Sequence, residues 1–222
     1  MVVWVIPPEI TNLLHVRVPT LTRYMGQQWV DEFFDTGRLR LASLASFRQH
    51  PDEALRDGEE GVVEISMTHP NSQGTFLMSI PRCYVLCATS NQVDSERVSW
   101  STESGFRITN PIGFANSIAS HVPGFLAGHI CACDYTDEPD VMLNFKERFK
   151  SPDEHPDGPI GFFQEMKAMH ERHAIPGLFS KSTRFLAECE HRFLWFSDDD
   201  PKPELFLTCP EAREFCERLE SS

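Results

Sequence analysis

The chain has 222 residues, of which 41% are hydrophobic and 24% charged, with a formal net charge of -13. A single domain over 1–222 is expected, since this length supports one sizeable core, and the acidity argues against bulk electrostatic capture of nucleic acid or of an anionic membrane. The opening MVVWVIPPEI is short, lacks a basic leader and is cut by Pro7 and Pro8, while the seven cysteines follow no framework spacing. These features read as a cytoplasmic protein with reduced thiols, no signal peptide and no membrane association.

In chain order, LTRYM at 21–25 is a short strand candidate with Arg23 at its centre. GQQWVDEFFDTG follows, with Trp29, Phe33 and Phe34 at helical spacing and Gly37 as a natural C-terminal cap. RLRLASLASF then alternates, with Leu39, Leu41 and Ser43 on one face, and reads as a strand that runs into a polar, breaker-rich loop at 48–61. VVEISM at 62–67, GTFLMSI at 74–80 and CYVLCATS at 83–90 are three more strands with turn residues between them, which suggests a mainly antiparallel sheet. GFANSIASHV is expected to be helical and GHICACDYT a strand. Residues 137–159, rich in proline and acids, read as a surface excursion with one short helix near Phe145. A helix is expected from Ile160, then a strand through KSTRFLAECEHRFLWFS, a turn at SDDDPKP, a strand at ELFLTC and a closing amphipathic helix over PEAREFCERLESS.

The aromatic strand near the C-terminus is where chemistry is expected. Strand alternation puts Glu188, Glu190 and Arg192 on one face, so two carboxylates and a guanidinium share a surface. Such a row is either an ion-paired sheet face or the lining of a polar cleft, because an unpaired buried carboxylate is costly. Arg23 in the first strand is unusual unless it is paired with a carboxylate or aimed at a phosphate. His170 and His173 lack a third ligand and the CxC of Cys131 and Cys133 lacks a second pair, so no metal site is expected. The chain contains no Walker loop, no GxGxxG and no GxSxG.

The order of these features resembles the ADP-ribosyltransferase superfamily, in which a first strand bears a basic residue, a second a Ser or Tyr, and a late strand the catalytic Glu, often in a Q/ExE pair. The chain also looks like a group of bacterial domains with an FxxxGxLRxxS opening, an SF before an acidic loop, a YVLCAT-like strand and a late E-aromatic-R strand. The matching residues are Phe34, Gly37, Leu39, Arg40 and Ser43, then Ser46 and Phe47, Tyr84 to Thr89, and Glu190 with Arg192, although His191 stands where an aromatic is usual. The likeness covers residues 21–90 and 178–208.

The resemblance implies an α+β domain with a split, mainly antiparallel sheet and flanking helices, acting on NAD as substrate. It implies that Glu190 stabilises the oxocarbenium-like state and that Glu188 prepares the acceptor. Arg23 would hold the pyrophosphate or adenosine ribose, Tyr24 or Phe47 would stack on nicotinamide, and Ser43 or Ser46 would take the second-strand role. The acceptor would be a protein or a nucleic acid, as for a toxin with a cognate antitoxin or a phage-defence effector. Two alternatives stay open: a non-catalytic binding or regulatory module of the same fold, and an RNA- or nucleotide-processing enzyme.

Overall fold

The computed structural model describes residues 3–4, 18–44, 46, 62–69, 72–79, 82–90, 104–137, 141–144, 155–162, 164, 175 and 177–219. The elements in chain order are β1 (Val3–Trp4), β2 (Leu21–Tyr24), helix α1 (Gln27–Thr36), β3 (Arg38–Ser43), β4 (Val62–His69), β5 (Ser72–Ser79), β6 (Cys83–Thr89) and β7 (Gly105–Ile108). Helix α2 (Pro111–Ala119), β8 (Phe125–Ala132), β9 (Asp134–Tyr135), β10 (Val141–Asn144) and β11 (Ser180–Lys181) follow. A 3-10 helix (Thr183–Glu188), β12 (Glu190–Ser197), β13 (Glu204–Thr208), a second 3-10 helix (Pro210–Phe215) and β14 (Cys216–Arg218) complete the order. The chain is α+β with mostly antiparallel pairing, and it divides into two compact units, one of residues 1–58, 81–133 and 184–222, the other of residues 59–80 and 134–183.

The first unit is built on an antiparallel sheet ordered β1-β8-β12-β6-β2-β7-β14, with β3 also pairing with β6 and β13 pairing with β3. β12 covers one edge of β6 along its whole length, from Glu190 opposite Thr89 to Phe196 opposite Cys83. The other edge of β6 is shared: β3 meets it at Tyr84 and Val85, and β2 meets it at Thr89. The sheet therefore forks at β6.

One face of this sheet is covered by α1, α2 and the Pro210–Phe215 helix, whose apolar residues meet Leu21, Leu41, Leu86, Phe106, Ile130, Phe193 and Trp195 in a continuous core. Burying side chains of this size contributes roughly 1.5–3 kcal/mol each. Phe33 stacks on Phe106 with centroids 4.7 Å apart, and the Trp195 indole N–H donates to the Ala115 carbonyl at 3.0 Å. Helix α2 starts at Asn110, whose side-chain oxygen accepts from the Gly113 N–H at 3.0 Å, with Pro111 in the first turn. Helix α1 ends at Gly37, where φ is +77° and the N–H bonds the Phe33 carbonyl at 2.7 Å, as the sequence implied. A Cβ at Gly37 would lie 2.5 Å from the Pro210 backbone, so glycine also allows the two segments to touch.

The second unit contains the β10-β4-β5 sheet, with β4 and β5 antiparallel and β10 parallel to β4, and a short parallel pair, β9 with β11. Asp137 closes the latter: its carboxylate accepts from Ser182 Oγ at 2.9 Å, from the Thr183 N–H at 3.0 Å and from Thr183 Oγ1. The Thr183 hydroxyl bond, then the Thr183 N–H and Ser182, hold this carboxyl below its usual range.

Three expectations need correction. The stretch 137–159 contains strand β10 at 141–144 rather than only a loop with a helix, because these residues pair with β4; Phe145 itself lies outside the described residues. Among the described residues the C-terminal segment forms a six-residue 3-10 helix and then β14, which pairs with β7, in place of the expected amphipathic helix. The strand bearing the glutamates begins at Glu190, and Glu188 closes the preceding 3-10 helix. The loop at 48–61 and most of the helix expected after Ile160 lie outside the described residues, though the backbone is helical at 158–162.

Candidate functional site

β12 is buried on both faces and lies between β6 and β8, so charges placed on it need internal partners. Glu190 and Arg192 are two apart and share a face; they are 6% and 2% exposed. They satisfy each other: Arg192 Nε donates to Glu190 Oε1 at 2.6 Å. The Cys133 thiol also reaches that oxygen, at 3.7 Å, and the Cys133 N–H donates to the Glu190 carbonyl at 2.8 Å. The carboxylate is thus fixed in direction by a guanidinium on its own strand and by the segment that follows β8.

Glu188 does not join this face. Between it and Glu190, Cys189 adopts a left-handed backbone with φ of 44°, and the Cys189 N–H returns to the Leu186 carbonyl at 3.3 Å. That turn breaks the alternation on which the shared face of Glu188 and Glu190 depended. Glu188 is half-buried at the end of the 3-10 helix.

Arg23 sits in the fork of the sheet. Between the β3 and β2 contacts on β6, Arg23 Nη1 donates to the Cys87 carbonyl at 2.7 Å. Its Nε is buried without a hydrogen-bond partner among the described residues. Burial, and to a smaller degree the neighbouring Arg40 guanidinium, lower the Arg23 pKa, whereas Cys87 and the Glu190 carboxylate raise it. Arg23 stays cationic, since a guanidinium keeps its proton in proteins. Arg23 and Glu190 are therefore within electrostatic reach of each other at the Thr89 end of β6.

The serines lie elsewhere. Ser43 pairs with Tyr84, five residues along β6 from Thr89, which puts it roughly 17 Å from the Glu190 end at strand spacing. Ser46 stays with it, donating from Oγ to the Ser43 carbonyl at 2.7 Å. Tyr24 is half-buried beside Arg23, and Phe47 lies outside the described residues. Of the residues singled out in the sequence, the fold brings Arg23 and Glu190 near each other, sets Ser43 and Ser46 apart, and pairs Tyr24 with Gly105 on β7. Cys133 and Arg40 were singled out in the sequence for other reasons, the CxC and the FxxxGxLRxxS opening, and their nearness to Glu190 and Arg23 was not foreseen because it arises only when distant segments are brought together.

Two histidines lie along β12: His191 next to Glu190, and His129, on β8, opposite Leu194. His129 on β8 is 1% exposed, packs edge-on against Phe196 with centroids 5.5 Å apart, and burial pushes its pKa down. His191 is half-buried on the opposite face of β12; burial lowers its pKa, against smaller opposing effects of the Cys189 backbone and Glu190.

No family model, curated protein or solved structure matches the chain. What fold and site define is an α+β protein with a forked, mostly antiparallel sheet and a buried Glu–Arg pair beside the fork. Among the described residues no helix is long and apolar enough to cross a membrane.

Proposed function

We propose that this chain is an ADP-ribosyltransferase-like enzyme that cleaves NAD between nicotinamide and ribose and passes ADP-ribose to a protein or nucleic-acid acceptor. The observation that supports it most is that Arg23 and Glu190 lie within electrostatic reach of each other at one end of β6, beside the fork between β2 and β3. In this reading the split sheet is that of the transferase superfamily. Arg23 binds the pyrophosphate as a fixed, partly desolvated cation, with Tyr24 beside it for the nicotinamide ring. The Glu190 carboxylate, oriented by Arg192 and Cys133, faces the positive charge that develops on the ribose as nicotinamide leaves. Glu188 would act on the acceptor from the 3-10 helix rather than from the strand. A toxin or a phage-defence effector is the setting in which such an enzyme fits, with a cognate antitoxin as partner in the first case.

The second reading is a non-catalytic module of the same fold. It is favoured by the burial of Glu190 against Arg192, since a carboxylate committed to an ion pair can serve structure alone. Incubation with NAD labelled in the adenosine portion, with and without cell extract as acceptor, separates the two. The transferase reading expects nicotinamide release that falls by about a hundredfold or more in Glu190→Gln, in the range of losing one charge-stabilising group, and weakened NAD binding in Arg23→Met. Folded Glu190→Gln with unchanged turnover, or wild-type protein that neither binds nor consumes NAD, would sink it.

A further inference from the structure

We infer that His121, Cys209 and Glu211 form a binding site for a zinc-class divalent cation. The three come from two stretches of chain distant in sequence: His121 follows α2, whereas Cys209 caps the Pro210–Phe215 helix and Glu211 lies in its first turn. Their donor atoms, an imidazole nitrogen, a sulfur and a carboxylate oxygen, all lie within 4.8 Å of one another. His121 Nε2 and Glu211 Oε1 are already 2.6 Å apart.

The chemistry of this set is specific. Sulfur, imidazole and carboxylate together suit a borderline-soft ion such as zinc and disfavour magnesium or calcium, which take oxygen ligands. A tetrahedral zinc ion with bonds of about 2.0–2.3 Å spaces its ligand atoms roughly 3.3–3.8 Å apart. His121 and Glu211 must then separate by about 1 Å while the more distant pairs close by a similar amount, which side-chain rotation supplies. The His121 and Glu211 side chains are 33% and 47% exposed, so an ion can enter from solvent, and Cys209 forms the buried floor. On binding, the Cys209 thiol releases its proton to solvent, the proton that His121 Nε2 shares with Glu211 is exchanged through solvent so that the neutral ring keeps its proton on Nδ1, and the freed Nε2 and the carboxylate each bond the metal.

The backbone holds the three in place. The Cys209 N–H donates to the Gly37 carbonyl at 2.9 Å, the Ala212 N–H to the Cys209 carbonyl at 3.2 Å, and the His121 N–H to the Ile118 carbonyl at 2.9 Å. Donors fixed on rigid segments lose little freedom on coordination. The buried thiol is pushed up first by burial, and the Glu211 carboxylate adds to this, although hydrogen bonds with Ser117 and Ala212 oppose it. A cation at this point reverses that balance and makes the thiolate the favoured form. The site lies on the helix-covered face of the sheet, and the Glu190–Arg192 pair projects from the other, so it stands apart from the proposed transfer chemistry.

The test uses the full chain, stripped with a chelator and titrated with Co2+ and then Zn2+. One equivalent of cobalt is expected to give thiolate-to-cobalt charge-transfer absorption and tetrahedral visible bands, and zinc to displace it and raise the melting temperature. His121→Ala and Glu211→Gln, both at partly exposed positions, are expected to weaken binding at least about tenfold, and Cys209→Ser to abolish the charge-transfer band. Should Cys209→Ser fail to fold, the two exposed variants still decide the matter. Absence of the charge-transfer band in the wild type overturns the inference, since no thiolate then binds the ion, and so does equal affinity in His121→Ala, since one of the six other thiols would then account for the cobalt bound.

Discussion

At the scale of single residues, the Glu190–Arg192 pair makes the sharpest demand. Both side chains are almost fully buried, so removing one partner leaves an uncompensated charge in the sheet. Arg192→Leu is expected to lower stability by about 3–5 kcal/mol. The double change Glu190→Gln with Arg192→Leu should restore most of that loss, because the pair itself contributes little net stability. Denaturant unfolding of the three proteins measures this, and a loss under about 1 kcal/mol in the single variant would contradict the burial described. The pair was partly legible: the spacing of 190 and 192 gave the shared face, whereas the place of Glu188 depended on a left-handed Cys189 that no propensity rule anticipates.

His129 sets a pH dependence at the same scale. Its pKa in the folded chain is lowered by burial, so the unfolded chain binds the extra proton more readily. The stability this neutral imidazole permits is fully present above its unfolded pKa of about 6.5 and is lost as pH falls below that value. Urea midpoints are expected to fall between pH 7.5 and pH 5, with a shallower fall in His129→Phe. The dependence should not vanish, because His191 shifts in the same direction. Identical slopes for the two proteins would show that His129 is not the group responsible.

At the scale of elements, Gly37 joins two segments distant in sequence. Its left-handed backbone ends α1, and its missing Cβ lets Pro210 approach. Gly37→Ala is expected to cost about 1–3 kcal/mol from the unfavourable φ alone, and more from displacement of the 209–210 backbone. Thermal unfolding reads this directly, and an unchanged melting temperature would mean that the two segments move apart freely. The glycine cap and the strands at 21–24, 38–43 and 83–89 were legible because periodicity and turn residues agree there. The end of the chain was not. PEAREFCERLE favours a helix locally, but Cys216 to Arg218 pair with β7, and the Phe215 carbonyl accepts from Thr109, so the sheet edge overrides propensity. TRFLAE went the other way, with helix formers winding up just before a strand that the aromatic pattern extended too far.

At the scale of the whole molecule, the central position of β12 determines where the fold is most resistant to opening. It is paired on both edges and buried on both faces, whereas β1 and β14 end the sheet. Hydrogen exchange is expected to be slowest in β12 and β6 and at least an order of magnitude faster in β14, in line with the spread between core and edge openings. Comparable rates across the sheet would argue against this hierarchy. The α+β class and the antiparallel character could be read from alternating strands. The fork could not, because a sequence gives each strand's pattern without saying which neighbours share an edge.

That fork also removes an ambiguity. The run CYVLCAT is apolar on both faces, so sliding β6 two residues along β12 would keep every side chain on its own side of the sheet, and hydrophobic pattern alone would tolerate it. Such a slip would have to detach Val85 from Ala42, Thr89 from Thr22 and the Cys87 carbonyl from Arg23 all at once. Arg23 thereby acts as a detent that holds the strand at one notch, whatever else its charge attracts.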